Sequence, residues 1–224
     1  MLRFQQVDRT KRRSIHFQKA LETHQIRPRT HYNIATLLLN SGHLDEAIAE
    51  FNKELQIQPE FVEAHNNLGI ALTSKGELDG ALAHFQKALE LDPQLPKVHH
   101  NIAMILLRQG QLDQAIAHLQ KELQVNPVSA EAHNDLGIAW SQQGRIDQAI
   151  NEWQKTLELQ PGNLNAYCNL VWVLATFPDD AIRSGAKAVA LGEHALHALR
   201  RERPSDLPAA CCCVCGESSI RQGN

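Results

Sequence analysis

Histidine is the residue whose type and spacing first suggest chemistry in this chain of 224 residues. One histidine recurs at a constant interval, at His31, His65, His99 and His133. Imidazole nitrogens are common zinc ligands, but each lies only about 2.0 to 2.1 Å from the ion. If each histidine belongs to one unit of a helical repeat, successive histidines stand about 10 Å apart, because that is the distance between packed helices. These histidines are therefore predicted to pack inside the fold, and no metal site is predicted.

Cysteine is the second residue type that could do chemistry. Four of the five cysteines are Cys211, Cys212, Cys213 and Cys215, a cluster too tight to surround one tetrahedral ion and without a second ligand pair at a useful spacing. The chain from Arg203 also loses helical periodicity, which indicates a disordered segment or an out-of-frame end. No cofactor is predicted. No phosphate loop, metalloprotease motif or nucleophile elbow occurs, so the chain is predicted not to be an enzyme.

Charge and composition narrow the classes of partner. With 43% hydrophobic and 21% charged residues, the chain is typical of a globular protein with a sizeable core. The formal net charge of −3 disfavours nucleic acid as a partner, because nucleic-acid binders usually carry a basic face. No stretch approaches the roughly 20 apolar residues that cross a bilayer, so membrane insertion is not expected and a cytoplasmic location is predicted.

The elements that position these residues follow from an internal repeat. Four columns of residues keep one interval, about 34 residues long, without an insertion. They are Pro59, Pro93, Pro127 and Pro161; Gly42, Gly76, Gly110 and Gly144; Ala47, Ala81, Ala115 and Ala149; and Phe51, Phe85, Leu119 and Trp153.

Each column has a structural reason. The glycine can adopt the left-handed conformation that ends a first helix, helix A. The aspartate that follows each glycine in the same register, such as Asp45 after Gly42, is predicted to cap a second helix, helix B. The proline ends helix B, because it lacks a backbone donor and disfavours a helical residue before it. The repeating unit is therefore a helical hairpin.

The segment AHNNLGIALTSKGELDGALAHFQKALELDP, Ala64 to Pro93, resembles a tetratricopeptide repeat over its full length, and Ala132 to Pro161 does so again. The resemblance implies an all-α fold, a right-handed αα solenoid, or superhelix, whose concave groove is lined by the A helices. VLATFPDDAIRSGAKAVALGEHAL is similar to a variant final hairpin of bacterial members, so a bacterial source is expected.

The predicted division of the chain follows this register. It runs as a degenerate or disordered segment 1–16, an orphan helix B 17–27, repeats 28–61, 62–95, 96–129 and 130–163, a variant repeat or capping hairpin 164–202, and a disordered tail 203–224 with the cysteines. Repeats one and three share NIA and KELQ, whereas repeats two and four share LGIA, which indicates a duplicated pair.

The predicted binding residues lie on the stripe of helix A that packing does not claim. One column is Asn33, Asn67, Asn101, Asp135 and Asn169. A carboxamide both donates and accepts, so such a row can pair with the backbone of an extended peptide. The column is similar to the asparagine ladder of O-linked N-acetylglucosamine transferases, which serves this purpose. Alternatively, asparagine simply suits this helix surface.

Other positions flank this column in the predicted groove. They are Tyr32, Asn66, His100, Asn134, Ile70, Met104, Arg108, Ile138 and Trp172. Exposed apolar and aromatic groups among them could form side-chain pockets, although Trp172 could instead pack under the terminal helix.

Two functions remain open from the sequence. The first is a non-catalytic scaffold that binds an extended peptide or a partner helix of another protein in the groove. The alternative is the substrate-recruiting arm of a larger, glycosyltransferase-like enzyme whose catalytic domain lies outside this chain. Self-association through the terminal repeats is a further prediction, because a terminal repeat exposes apolar surface.

Overall fold

The computed structural model of the protein describes residues 29–176 and Ala190. Residues 29–176 form nine helices and contain no strand, which confirms the predicted all-α fold. The helices are α1 (Thr30–Asn40), α2 (Leu44–Ile57), α3 (Val62–Lys75), α4 (Leu78–Leu91), α5 (Val98–Arg108), α6 (Leu112–Val125), α7 (Ala130–Gln142), α8 (Ile146–Leu159) and α9 (Leu164–Thr176). The segments predicted at 1–16, 17–27 and 203–224, and the second helix of the final hairpin, lie outside the described residues.

The chain divides into two compact units between Gly110 and Gln111. In the first unit, the A helices α1, α3 and α5 pack side by side, and the B helices α2 and α4 each pack against the A helices before and after them. In the second unit, α7 contacts α9, α8 packs against both, and α6 packs against α7. Each unit therefore has a layer of A helices and a layer of B helices. No described helix has the length and apolar character needed to cross a membrane.

The turns confirm two of the three predicted hairpin signals. The four glycines have left-handed φ angles of 73° to 91°, as expected for residues that close helix A. Helices B end just before their prolines, as α2 does at Ile57 ahead of Pro59.

The predicted aspartate caps are wrong. Asp45 is the second residue of α2, and the capping position is His43, which makes no side-chain capping hydrogen bond. The other B helices begin in the same way, with Glu77, Gln111 and Arg145 at the capping position. The aspartates lie in the first turn instead, where a negative charge still interacts favourably with the helix dipole.

The core is built from large residues of helix B against small residues of helix A. Phe51, Phe85, Leu119 and Trp153 are at most 2% exposed. A Cβ atom built on Gly69 would lie 2.6 Å from the Phe85 ring, and one on Gly137 would lie 2.5 Å from Trp153. The small residues are therefore required by the close helix crossing.

A buried glutamate occurs in repeats one and three but not in repeats two and four, in agreement with the predicted duplication of a pair of repeats. Glu54 of α2 is 1% exposed and accepts hydrogen bonds from the backbone N–H groups of Arg29, at 3.2 Å, and Tyr32, at 3.1 Å. Arg29 precedes α1 with a left-handed φ of 70°, and Lys97 precedes α5 with a φ of 68°. Glu122, also 1% exposed, occupies the equivalent place in repeat three. In repeats two and four the position holds Ala88 and Thr156.

Candidate functional site: the A-helix face

Each unit has its own A-helix face, which comprises the outward side chains of α1, α3 and α5 in the first unit and of α7 and α9 in the second. In the first unit, Asn33 is exposed, and Asn67 and Asn101 are partly exposed. In the second unit, Asp135 and Asn169 are partly exposed. All five residues of the predicted column therefore have side-chain surface that solvent can reach.

A hydrogen-bonded chain orients the central asparagine of the first unit. Asn67 Nδ2 donates to the Tyr32 hydroxyl at 3.0 Å, and Asn66 Nδ2 donates to Asn67 Oδ1 at 3.2 Å. The first of these bonds joins repeat one to repeat two. A carboxamide has two N–H donors and two acceptor lone pairs, so Asn67 retains one donor and one lone pair beyond these contacts.

Aromatic packing holds Tyr32 in place. Its ring lies 4.8 Å from Phe61 and 6.0 Å from the buried Phe51, measured between ring centroids. The Arg29 guanidinium lies 4.7 Å from the centroid of the Phe61 ring, which is a cation–π contact. Asn67 is therefore oriented by a side chain that is itself packed on two sides.

The second unit differs at the equivalent positions. Asn134 is only 7% exposed, and its Nδ2 donates to Asp135 Oδ1 at 3.1 Å. The structure thus places Asn134 beneath the surface, where it supports Asp135 rather than presenting its own amide. The buried Oδ1 atoms of Asn66 and Asn134 accept no hydrogen bond from the described residues.

Apolar and aromatic side chains flank the column. Ile70 and Met104 are partly exposed in the first unit, and Ile138 is partly exposed in the second. Trp172 of α9 is 58% exposed, so it does not pack in the core of the described fold. His100 is partly exposed, and Arg108 is exposed at the end of α5.

The recurring histidines lie between helix A and helix B, away from the A-helix face. All four are 7% to 9% exposed, which agrees with the predicted packing role. His31 Nδ1 lies 2.6 Å from Glu50 Oε2, and His133 Nδ1 lies 2.6 Å from Glu152 Oε2. Lys53 and Lys155 complete these pairs at 2.6 and 3.0 Å from the same glutamates.

Sequence reasoning missed these histidine partners. Glu50, His84 and Glu152 contact the histidines of repeats one, two and four, and His118 holds the equivalent position in repeat three. These four partner positions recur at the same interval as the histidines themselves, so their spacing could have identified them from the sequence.

The B-helix side of the second unit holds an open cleft that the sequence did not predict. It measures about 680 Å³ and lies between α6 and α8, with α7 as its floor. Its walls carry mainly carboxamides, such as Gln120 and Gln148, while Glu152 is already paired with His133 and Lys155. Among the described residues, no three histidine, cysteine, aspartate or glutamate side chains come together as a metal site would require.

Stacked helical hairpins, with a layer of A helices and a layer of B helices in each unit, define a helical-repeat scaffold. A family model described as "Tetratricopeptide repeat" matches residues 17–96 and 100–163. The chain therefore belongs to the tetratricopeptide repeat (TPR) family, whose members generally mediate protein–protein interactions. No curated protein matches the chain.

Solved TPR structures share this fold. MamA from Desulfovibrio magneticus RS-1 is 23% identical, with a TM-score of 0.66 over 80% of this chain and 97% of that chain. YrrB, described as a TPR protein with an unusual peptide-binding site, is 22% identical, with a TM-score of 0.66 over 91% of this chain and 97% of that one. A TPR protein from Cytophaga hutchinsonii is 17% identical, with a TM-score of 0.72 over 88% and 76%. These likenesses bear on the fold alone.

Proposed function

We propose that this protein binds an extended peptide segment, or a helix, of a partner protein on the A-helix face and performs no catalysis itself. The observation that carries the proposal is the orientation of Asn67 by Tyr32 and Asn66, which leaves one donor and one lone pair of its amide available. Each residue of an extended chain also offers one N–H and one C=O. An oriented asparagine can therefore pair with a peptide group without reading its side chain.

Preorganisation adds to this argument. Ordering a flexible side chain at an interface costs about 0.5 to 1.5 kcal/mol, and the contacts of Asn67 within the free protein reduce that cost. Partly exposed Ile70 and Met104 lie on the same face and supply apolar contact area beside the amides. The peptide-binding description of YrrB is consistent with this use of a TPR fold.

The proposal is tested by selecting ligands from a displayed library of random peptides with the wild-type protein. Each selected peptide is then measured against Asn67→Ala/Asn101→Ala and against Asn52→Ala/Gln86→Ala, which changes exposed amides on the B helices α2 and α4. We expect the first variant to lose binding and the second to retain it, with equal circular dichroism spectra. Equal binding by both variants, or equal loss by both, would contradict the assignment of the A-helix face.

The alternative function, a substrate-recruiting arm of a larger glycosyltransferase-like enzyme, rests on the asparagine column and its similarity to the ladder of O-linked N-acetylglucosamine transferases. It also needs a catalytic domain encoded in the same reading frame, which sequencing the flanking DNA would reveal. Self-association, a cytoplasmic location, a bacterial source and the exclusion of nucleic acid stay predictions. Light scattering over a range of protein concentrations tests the first of these.

A further inference from the structure

The hairpin of α3 and α4 pairs two histidines where the hairpins of repeats one and four pair a histidine with a glutamate. His65 Nδ1 lies 3.0 Å from His84 Nδ1, and the two ring centroids are 5.3 Å apart at an interplanar angle of 31°. The equivalent positions hold Glu50 beside His31 and Glu152 beside His133. Repeat two therefore replaces a carboxylate acceptor with a second titratable base.

The hydrogen-bond partners determine where the protons lie. His65 Nε2 is 2.9 Å from the Pro59 carbonyl, which can only accept, so this nitrogen carries a proton. In a neutral imidazole the other nitrogen is then an acceptor. His65 Nδ1 accordingly accepts, and His84 Nδ1 donates the single proton that the two nitrogens share.

We propose that this histidine pair is a proton-sensitive seam: His65 and His84 share one proton at neutral pH, and uptake of a further proton in mild acid weakens the attachment of α4 to α3. A proton added to His65 Nδ1 would point two N–H groups at each other across 3.0 Å. A proton added to His84 Nε2 would place a positive charge in a half-buried position that has no carboxylate partner among the described residues. Neither outcome arises at Glu50 or Glu152, which accept from a protonated histidine.

The charged and titratable surroundings of His84 support this assignment. On α3 its neighbour is His65. On α4, Lys87 lies one turn further and pairs with Glu90 at 3.0 Å rather than with His84. The next packed helix, α5, carries His99 at the position equivalent to His65. Burial, and secondly the charge of His65, lower the pKa of His84 below its ordinary value of 6.5.

The direction of this shift gives the pH dependence. A histidine whose pKa is lower in the folded than in the unfolded state contributes stability that is complete above pH 6.5 and is lost as the pH falls below it. For Glu50, burial raises the pKa, but hydrogen bonds from His31 and Lys53 outweigh burial, and the pKa is lowered below 4.5. The stability that Glu50 contributes is therefore lost only below pH 4.5. Between pH 6.5 and pH 4.5, acid therefore weakens the contact of α4 with α3, whereas the contact between His31 and Glu50 in the hairpin of α1 and α2 is retained.

The test compares wild type, His84→Glu and Glu152→His, with urea unfolding and hydrogen exchange measured at about pH 7.5 and about pH 5.0. His84→Glu installs the pair found in repeats one and four, so the acid-induced rise in its unfolding constant should be smaller than in wild type. Glu152→His installs the histidine pair in the second unit and should enlarge that rise. In wild type, exchange protection should fall in α3 and α4 on acidification, after correction for intrinsic exchange rates.

A second measurement needs no variant. Long-range ¹H–¹⁵N spectra of the imidazoles at neutral pH should show His65 protonated on Nε2 and His84 protonated on Nδ1. The opposite tautomers, or an acid response of His84→Glu equal to that of wild type, would overturn the proposal. If His84→Glu fails to fold, an unchanged acid response of Glu152→His would overturn it independently.

Discussion

At the scale of single residues, the close helix crossing at Gly69 makes a quantitative prediction. Gly69→Ala would place a Cβ atom 2.6 Å from a carbon of the Phe85 ring, which is fully buried and cannot move aside cheaply. Overpacking of this kind costs typically about 1 to 3 kcal/mol. The free energy of unfolding, measured by urea titration, should fall by that amount.

Gly80 provides a matched control for this prediction. It lies in helix α4, and the nearest atom to a Cβ built there is a Leu72 methyl at 3.5 Å, an ordinary contact. Alanine is favoured over glycine in a helix interior by about 1 kcal/mol, and because Gly80 is only the third residue of α4, Gly80→Ala should stabilise the protein by less than that amount. Equal effects of the two substitutions would mean that the space beside Phe85 is not the deciding factor.

The same scale explains why the site was only partly predictable. The asparagine column was recognised from its constant interval along the chain, and solvent reaches every member of it. The interval did not reveal that Asn67 is held by Tyr32 of the preceding repeat, or that Asn134 is buried. Those outcomes depend on side-chain distances between helices, and a spacing along the chain carries no such distances.

At the scale of elements, the start of α1 depends on a residue from another helix. Glu54→Ala would leave the backbone N–H groups of Arg29 and Tyr32 without their acceptor. Both bonds are only partly buried, so losing them should cost about 0.5 to 1.5 kcal/mol each. We expect the variant to lose that much stability and hydrogen exchange to accelerate first in the opening turn of α1.

The variant Arg29→Gly distinguishes the contribution of the Glu54 hydrogen bonds from that of the Arg29 side chain and its left-handed backbone conformation. Glycine relieves the φ of 70° at this position but removes the cation–π contact with Phe61. These effects are opposite in sign and each about 1 kcal/mol in size, so the net change should be small. A large loss of stability in Arg29→Gly would show that the arginine side chain, rather than Glu54, secures the start of α1.

At the scale of the whole molecule, repeat proteins distribute their stability among neighbouring units, so unfolding need not be two-state. All three tryptophans, Trp140, Trp153 and Trp172, lie in the second unit. Tryptophan fluorescence therefore reports on that unit, whereas far-ultraviolet circular dichroism reports on helices of both units. We expect the two urea transitions to have different midpoints, and coincident midpoints would show that the two units unfold as one cooperative body.

By itself, the sequence determined the repeating unit, the all-α fold and the residues that occupy each column, because helix ends and turns are specified within a single helical hairpin. It misassigned the aspartate caps, since a small difference in where helix B begins decides whether a carboxylate caps the helix or only lies in its first turn. The tertiary structure alone decided which side chains meet: Tyr32 with Asn67, His65 with His84, and Glu54 with the start of α1. These partners stand 19 to 35 residues apart and are brought together by helix packing, which a local pattern does not encode.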